Sequence, residues 1–270
     1  MKVAHVATMM GKELREFRAS PSAILPVIIV IAVTLAIPFV VLVAIPTLTG
    51  ENIADDVAIA KAVGFAAKYM PALTALPREA AAEAFLFQQF LLLFLLSPIV
   101  GAVSLAAYSV VGEKQGRTLE PLLTTPLSTT EILVAKVLAA FLPALVVEGI
   151  GIVAYLLLMA AFASPGVVGV VVGLRTALLL LVIGPLAALA ALQATIAVSS
   201  RVNDPRSAQQ IAVLLVLPLV AMVMGQIAGA FVLTTAVLAG VAAGLALLWV
   251  LLLMLSVALF DRENILTRWR

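Results

Sequence analysis

Residues 23–46 read AILPVIIVIAVTLAIPFVVLVAIP, 24 positions without a charge. About 20 helical residues cross the hydrocarbon core of a bilayer, so this stretch is long enough to span it once. The pattern recurs along the chain. Apolar runs predict six spans, at roughly 23–46, 84–111, 131–162, 173–199, 208–228 and 231–260. Helices are expected for all of them, because a helix satisfies its own backbone hydrogen bonds where lipid offers none. The stretch 208–260 holds 53 residues and no charge. It is too long for one span, and a pair joined near Gly225–Ala230 fits, with a short re-entrant element as the alternative. The expected fold is therefore an all-α integral membrane protein in a single domain, 1–270.

Composition agrees. Of 270 residues 64% are hydrophobic and 11% charged, where soluble domains carry about 25% charged residues. There is no cysteine and one histidine, His5, which excludes disulfides and thiolate metal sites. Residues 1–22 are mixed in charge and only moderately apolar, unlike a cleavable signal peptide, so the first span should be retained. Within them Val3, Val6, Met10, Leu14 and Phe17 recur at steps of three and four, one face of a helix. Lys12, Glu13, Arg15 and Glu16 fall largely off that face. A helix lying in the membrane interface, apolar face in lipid and charged face in water, is expected. A simple orientation anchor is the alternative.

Lys61, Lys68, Arg78 and Arg175 lie in loops on one side of this layout, and the other twelve of the 16 basic residues lie on the opposite side. Basic residues favour the cytoplasmic side of short loops. Both termini, the segment 112–130 and the tail 261–270 should therefore be cytoplasmic, with 47–83 as an outer loop. In that loop Ile53, Val57, Ala60, Gly64 and Ala67 predict one face of a helix.

The polar interruption between the second and third spans is the most informative segment. Residues 112–136 read GEKQGRTLEPLLTTPLSTTEILVAK. Gly112 and Gly116 permit a turn where the second span leaves the membrane. Thr118 can cap a short helix, with Glu120 in its first turn and Pro121 tolerated there. Pro126 ends it, and Ser128-Thr129-Thr130-Glu131 is a capping box that starts the third span. A short helix bonded to two rigid spans can transmit force between them and whatever it touches.

This run resembles the signature of type-2 ABC exporter permeases, most closely in the spelling of the sodium- and multidrug-efflux branch. The resemblance rests on Glu113, Lys114, Gly116, Thr118, Leu119, Glu120, Leu122, Leu123, Pro126, Glu131, Ile132, Leu133 and Lys136, about a tenth of the chain. The N-terminal KELREFRASP (12–21), the six-span layout and the polar loop SSRVNDPRSAQQ (199–210) agree with it. It implies a coupling helix docked on a separate ABC-type ATPase subunit, with Glu113, Lys114, Gly116, Arg117, Thr118, Leu119, Glu120 and Pro121 at the contact. It implies further that ATP and magnesium act on that partner, and that two copies or a paralogous pair form the pathway in the cell membrane.

No Gly-x-x-x-x-Gly-Lys-Ser/Thr phosphate loop, His-Glu-x-x-His metal motif or Gly-x-Ser-x-Gly elbow occurs. No cofactor or metal is expected on this chain, and no nucleic-acid partner. A membrane-embedded enzyme, or a non-transporting assembly or channel protein, is the rival class. Glu148 is the one acid deep in an expected span. A charge at the bilayer centre costs at least ~2.5–3.5 kcal/mol, so Glu148 is either a neutral acid between helices or a pathway residue for a cation or proton. Gln88, Gln89, Gln193 and Gln226 read as polar contacts between helices. Gly169/Gly173, Gly225/Gly229 and Gly240/Gly244 have the spacing that lets helices approach closely. Pro26, Pro38, Pro98, Pro143, Pro185 and Pro218 interrupt the expected spans, as irregular packing or as hinges.

Overall fold

A computed structural model of the chain describes residues 3–50, 52–116, 127–199 and 232–259, with scattered positions between 210 and 230. Among these residues the regular structure is helical, without a strand. Five helical stretches are long and apolar enough to cross a membrane: Ala23–Thr49, Arg78–Ser109, Thr130–Phe162, Leu174–Ser199 and Thr235–Ser256. More than half of the expected span at 208–228 lies outside the described residues.

The elements in order are α1 (Val3–Ala19), α2 (Pro21–Phe39), α3 (Ile45–Thr49), α4 (Val57–Ala67), α5 (Arg78–Leu91), α6 (Leu96–Gln115), α7 (Thr129–Phe162), α8 (Val167–Val171), α9 (Leu174–Leu178), α10 (Gly184–Ser199) and α11 (Thr235–Leu259). Three spans depart from α geometry in the turn before a proline. Val40–Ala44 is a π turn ahead of Pro46, Leu92–Leu95 is 3₁₀ ahead of Pro98, and Leu179–Ile183 is a π turn ahead of Pro185. The cause is local: a proline lacks an N–H and its ring crowds the carbonyl four residues earlier, so the preceding turn must rewind. Pro26 and Pro38, inside α2, and Pro143, inside α7, are absorbed without such a change.

The second span is the axis of the fold. Its helix α6 packs on α2, α7 and α10, while α11 packs on α10 at the edge. Within its most apolar stretch 78% of the residues are buried, against 6% in the last span. Alanines make this possible: Ala80, Ala84, Ala102, Ala106 and Ala107 are almost wholly covered, so neighbours approach on every side. Phe39, Phe87, Phe94 and Tyr155 lock the first three spans together with ring centroids 5.0–6.0 Å apart. The Tyr155 hydroxyl donates to the Phe87 carbonyl at 2.8 Å, so its one polar atom is satisfied in the core.

Close helix approach occurs at glycines outside the expected pairs Gly169/Gly173 and Gly240/Gly244, while Gly229 of the third pair lies outside the described residues. A Cβ on Gly169, Gly173, Gly240 or Gly244 would meet nothing within 4 Å. A Cβ on Gly101 would lie 3.1 Å from the Ala144 Cβ, and one on Gly151 would collide with Ile31. Spacing on one helix does not specify which glycine faces a neighbour.

The helix expected in the 47–83 loop is α4, but it buries a different face. Ala62 and Ala66 are covered, whereas Val57 is 66% exposed. Small residues win because α4 lies on α5, whose facing surface is itself alanine-rich. Asp56 caps α4 by accepting from the Ala58 and Ile59 amides, and Arg78 donates to the Ala54 carbonyl at 2.7 Å. Glu83 accepts from Ser164 N and Oγ at 2.9 and 3.0 Å, tying the α7–α8 connection to α5.

Candidate functional site

The capping box expected at the start of the third span is present. Ser128 Oγ accepts from the Glu131 amide at 3.2 Å, and Glu131 Oε2 accepts from the Ser128 amide at 3.0 Å. His5 Nδ1 lies 3.5 Å from the same carboxylate oxygen, which brings α1 to this helix start. Gly112 does not turn the chain: α6 continues through it to Gln115, and Gly116 forms the first turn beyond. Arg117, Thr118, Leu119, Glu120 and Pro121 lie outside the described residues.

On either side of that segment the helix ends are joined by a buried ionic cluster. Lys136 of α7 puts its ammonium 2.8 Å from Glu13 Oε1 of α1, 2.8 Å from Glu113 Oε2 of α6 and 2.7 Å from Ser109 Oγ of α6. An ammonium has three donors, and three oxygens stand within 2.8 Å, with the Ser109 carbonyl a fourth at 3.4 Å. The side chains of Lys136, Glu13 and Glu113 are 1%, 0% and 3% exposed. Lys12 adds a second cation, 2.7 Å from Glu113 Oε1 and 3.4 Å from Glu16 Oε1. Partial burial works against the charged Lys12, but its hydrogen bond to Glu113 and the carboxylates of Glu113, Glu13 and Glu16 outweigh that and hold its pKa above the ordinary 10.5.

This arrangement revises the picture of α1. Glu13 belongs to the buried face of the helix, not to a face in water. Val6 and Met9 pack on Ala135, and Phe17 packs with Leu133 and Ala102, so α1 lies against the chain's own spans. Periodicity placed the helix; the buried acid was invisible because its partner is 123 residues away.

Glu148 is 3% exposed within α7, and its Oε1 has no hydrogen-bond partner among the described residues. A Cβ on Gly184 would come within 2.9 Å of that oxygen, so the glycine at the start of α10 leaves the space the carboxyl occupies.

A profile of the family described as ABC-2 family transporter protein matches residues 7–260. The chain belongs to the ABC-2 transporter family. The match starts inside α1 and runs just past α11, so the N-terminal helix is part of the family's domain. No curated protein matches the chain. As an ABC-2 protein it is a multi-pass membrane permease subunit of an ABC transporter.

The far end of this ABC-2 subunit holds a second polar assembly. Gln88, Gln89, Arg175, Thr176 and Gln226 line one recess under α4, with Phe85 among its apolar walls. The recess encloses about 500 Å³, part of it open to the outside. The glutamines were expected as contacts between helices; the structure brings three of them to one opening. Arg175 was counted only for its charge. Its sequence signal is a single cation, followed by a threonine, at the start of a long apolar run.

Proposed function

We propose that this subunit is half of an ATP-driven exporter whose segment 112–130 docks on a separate ABC-type ATPase. The observation that carries this reading is the Lys136 cluster. One ammonium joins α1, α6 and α7 at the place where the docking segment begins and ends. A displacement of that segment then moves three helices together instead of flexing a loop. ATP binding can drive such a change only by favouring one arrangement of the helices over the other.

In this reading Lys114, Gly116, Arg117, Thr118, Leu119, Glu120 and Pro121 meet the ATPase. Glu113 acts from inside, because its carboxylate is already committed to Lys136 and Lys12. ATP and magnesium reside on the partner. Six spans, both termini in the cytoplasm, a dimeric or paired arrangement in the cell membrane and the sodium- or multidrug-efflux branch complete the proposal. Glu148 is its pathway residue: an acid enclosed by protein, within a span, against a glycine.

Co-purification tests the reading. The subunit should retain an ATPase bearing a phosphate-loop motif and stimulate its turnover. Reversing Arg117 to Glu together with Glu120 to Lys should weaken that complex without unfolding the permease. A complex indifferent to both reversals would remove the docking role.

A further inference from the structure

We infer that the recess beneath α4 is a binding site for an oxyanion, a phosphate or carboxylate group, with Arg175 as its cationic anchor. The inference goes beyond the permease reading and is tested without ATP or a partner, so either can fail alone.

Three observations converge. First, the Arg175 guanidinium is held in place but not consumed. Nη2 donates to the Leu233 carbonyl, while Nε and Nη1 are shielded and lack a partner among the described residues. Second, among the described residues no carboxylate lines the recess, and the one formal charge on its walls is positive. Neither does Arg175 form an ion pair with any described residue. Third, Gln89 is 5% exposed and its Oε1 has no partner among the described residues, in a recess that Gln88 and Gln226 also line. A shielded guanidinium and a buried amide left unsatisfied are each costly, and a ligand that pairs with both removes the cost.

The chemistry of the walls narrows the ligand. A planar guanidinium with two free N–H edges fits the oxygens of a phosphate or carboxylate. A buried amide beside it offers an acceptor and, turned over, a donor, so a group carrying both an oxyanion and an N–H or O–H is favoured. The recess is small and partly open to the outside. That suits a small anionic head entering from the open side better than a bulky apolar body. Two sources share this chemistry: a solute and the headgroup of an anionic lipid. Gln88 and Gln89 lie about 20 residues before Ser109 along the same span, roughly 30 Å from the Lys136 cluster at a helical rise. The site therefore belongs to the end of the subunit away from α1.

The full chain in dodecyl maltoside micelles, free of phosphate, provides the test. One arm titrates inorganic phosphate against chloride at equal ionic strength. The other dopes the micelles with phosphatidylglycerol and omits free phosphate. The thermal midpoint should rise in at least one arm, in the first for a solute and in the second for a headgroup. Arg175→Gln should need at least roughly tenfold more of the effective ligand for the same rise, the scale of a lost charged hydrogen bond. Arg175→Lys should retain part of the response, and Gln89→Leu should weaken it. Unliganded midpoints report whether each variant folds, and Gln89→Leu carries the test if Arg175→Gln does not. No rise in either arm overturns the inference. So does a rise that Arg175→Gln matches, or that Gln89→Leu matches where it is the variant that folds.

Discussion

The two ends of this permease treat charge in opposite ways. At the α1 end, Lys136 is buried and each of its three donors has an oxygen within 2.8 Å. At the α4 end, Arg175 is half-buried and two of its nitrogens have no partner among the described residues. Both are cations against apolar helices, and desolvation penalises both. A cation that has already collected its counter-ions holds elements together. One that has not is available to something else. The contrast fits the two proposals made above, transmission within the chain for the first assembly and recognition for the second.

Breaking the paired end should have the largest effect. Lys136→Met leaves Glu13 and Glu113 buried without their cation, and should cost about 3–5 kcal/mol of stability. Thermal unfolding in micelles measures it, and adding Glu13→Gln to the same variant should recover part of the loss. A variant as stable as the native protein would mean that water reaches the cluster.

Glu148→Gln sharpens the comparison from the middle of the molecule. It keeps the shape of the side chain and removes the acid. Transport in vesicles should fall while expression and folding stay intact. Full transport by this variant would make Glu148 a neutral spacer between helices.

Smaller effects are expected at the edges of the paired end. Ser128→Ala removes the reciprocal cap of α7 and should cost about 1 kcal/mol. Lys12→Met tests the sign of a titration. The folded pKa of Lys12 is raised, so its contribution to stability is complete below pH 10.5 and lost as pH rises through the higher folded value. The stability difference between native and Lys12→Met should be constant at neutral pH and shrink only in strong alkali. A difference that shrinks below pH 10 would show that Glu113 does not hold this ammonium in solution.

Apolar runs and a capping box were legible residue by residue, because both are local. The run 23–46 needs only its own length to require a membrane, and Ser128 with Glu131 needs only a spacing of three. The third span was read to within two residues at each end, whereas the second starts at Arg78, six residues before its apolar run suggested. That first turn is alanine-rich and held by the outer loop, so packing extends the helix past the point where hydropathy fades. The face of α4 was misplaced for a related reason: alanine is too small to mark a hydrophobic stripe, yet it is what lets helices touch.

The sequence by itself determined that the chain lives in a membrane, roughly where its long apolar helices run, and that a capping box opens the third span. Those depend on hydropathy, spacing and motif, which are properties of neighbours along the chain. Only the tertiary structure decided which charges are spent and which are free. Glu13 and Lys136 are 123 positions apart, and Arg175 reaches its carbonyl 58 positions on. Whether a buried charge is paired depends on what the fold brings beside it, and the energy of that pairing falls off within a few ångströms.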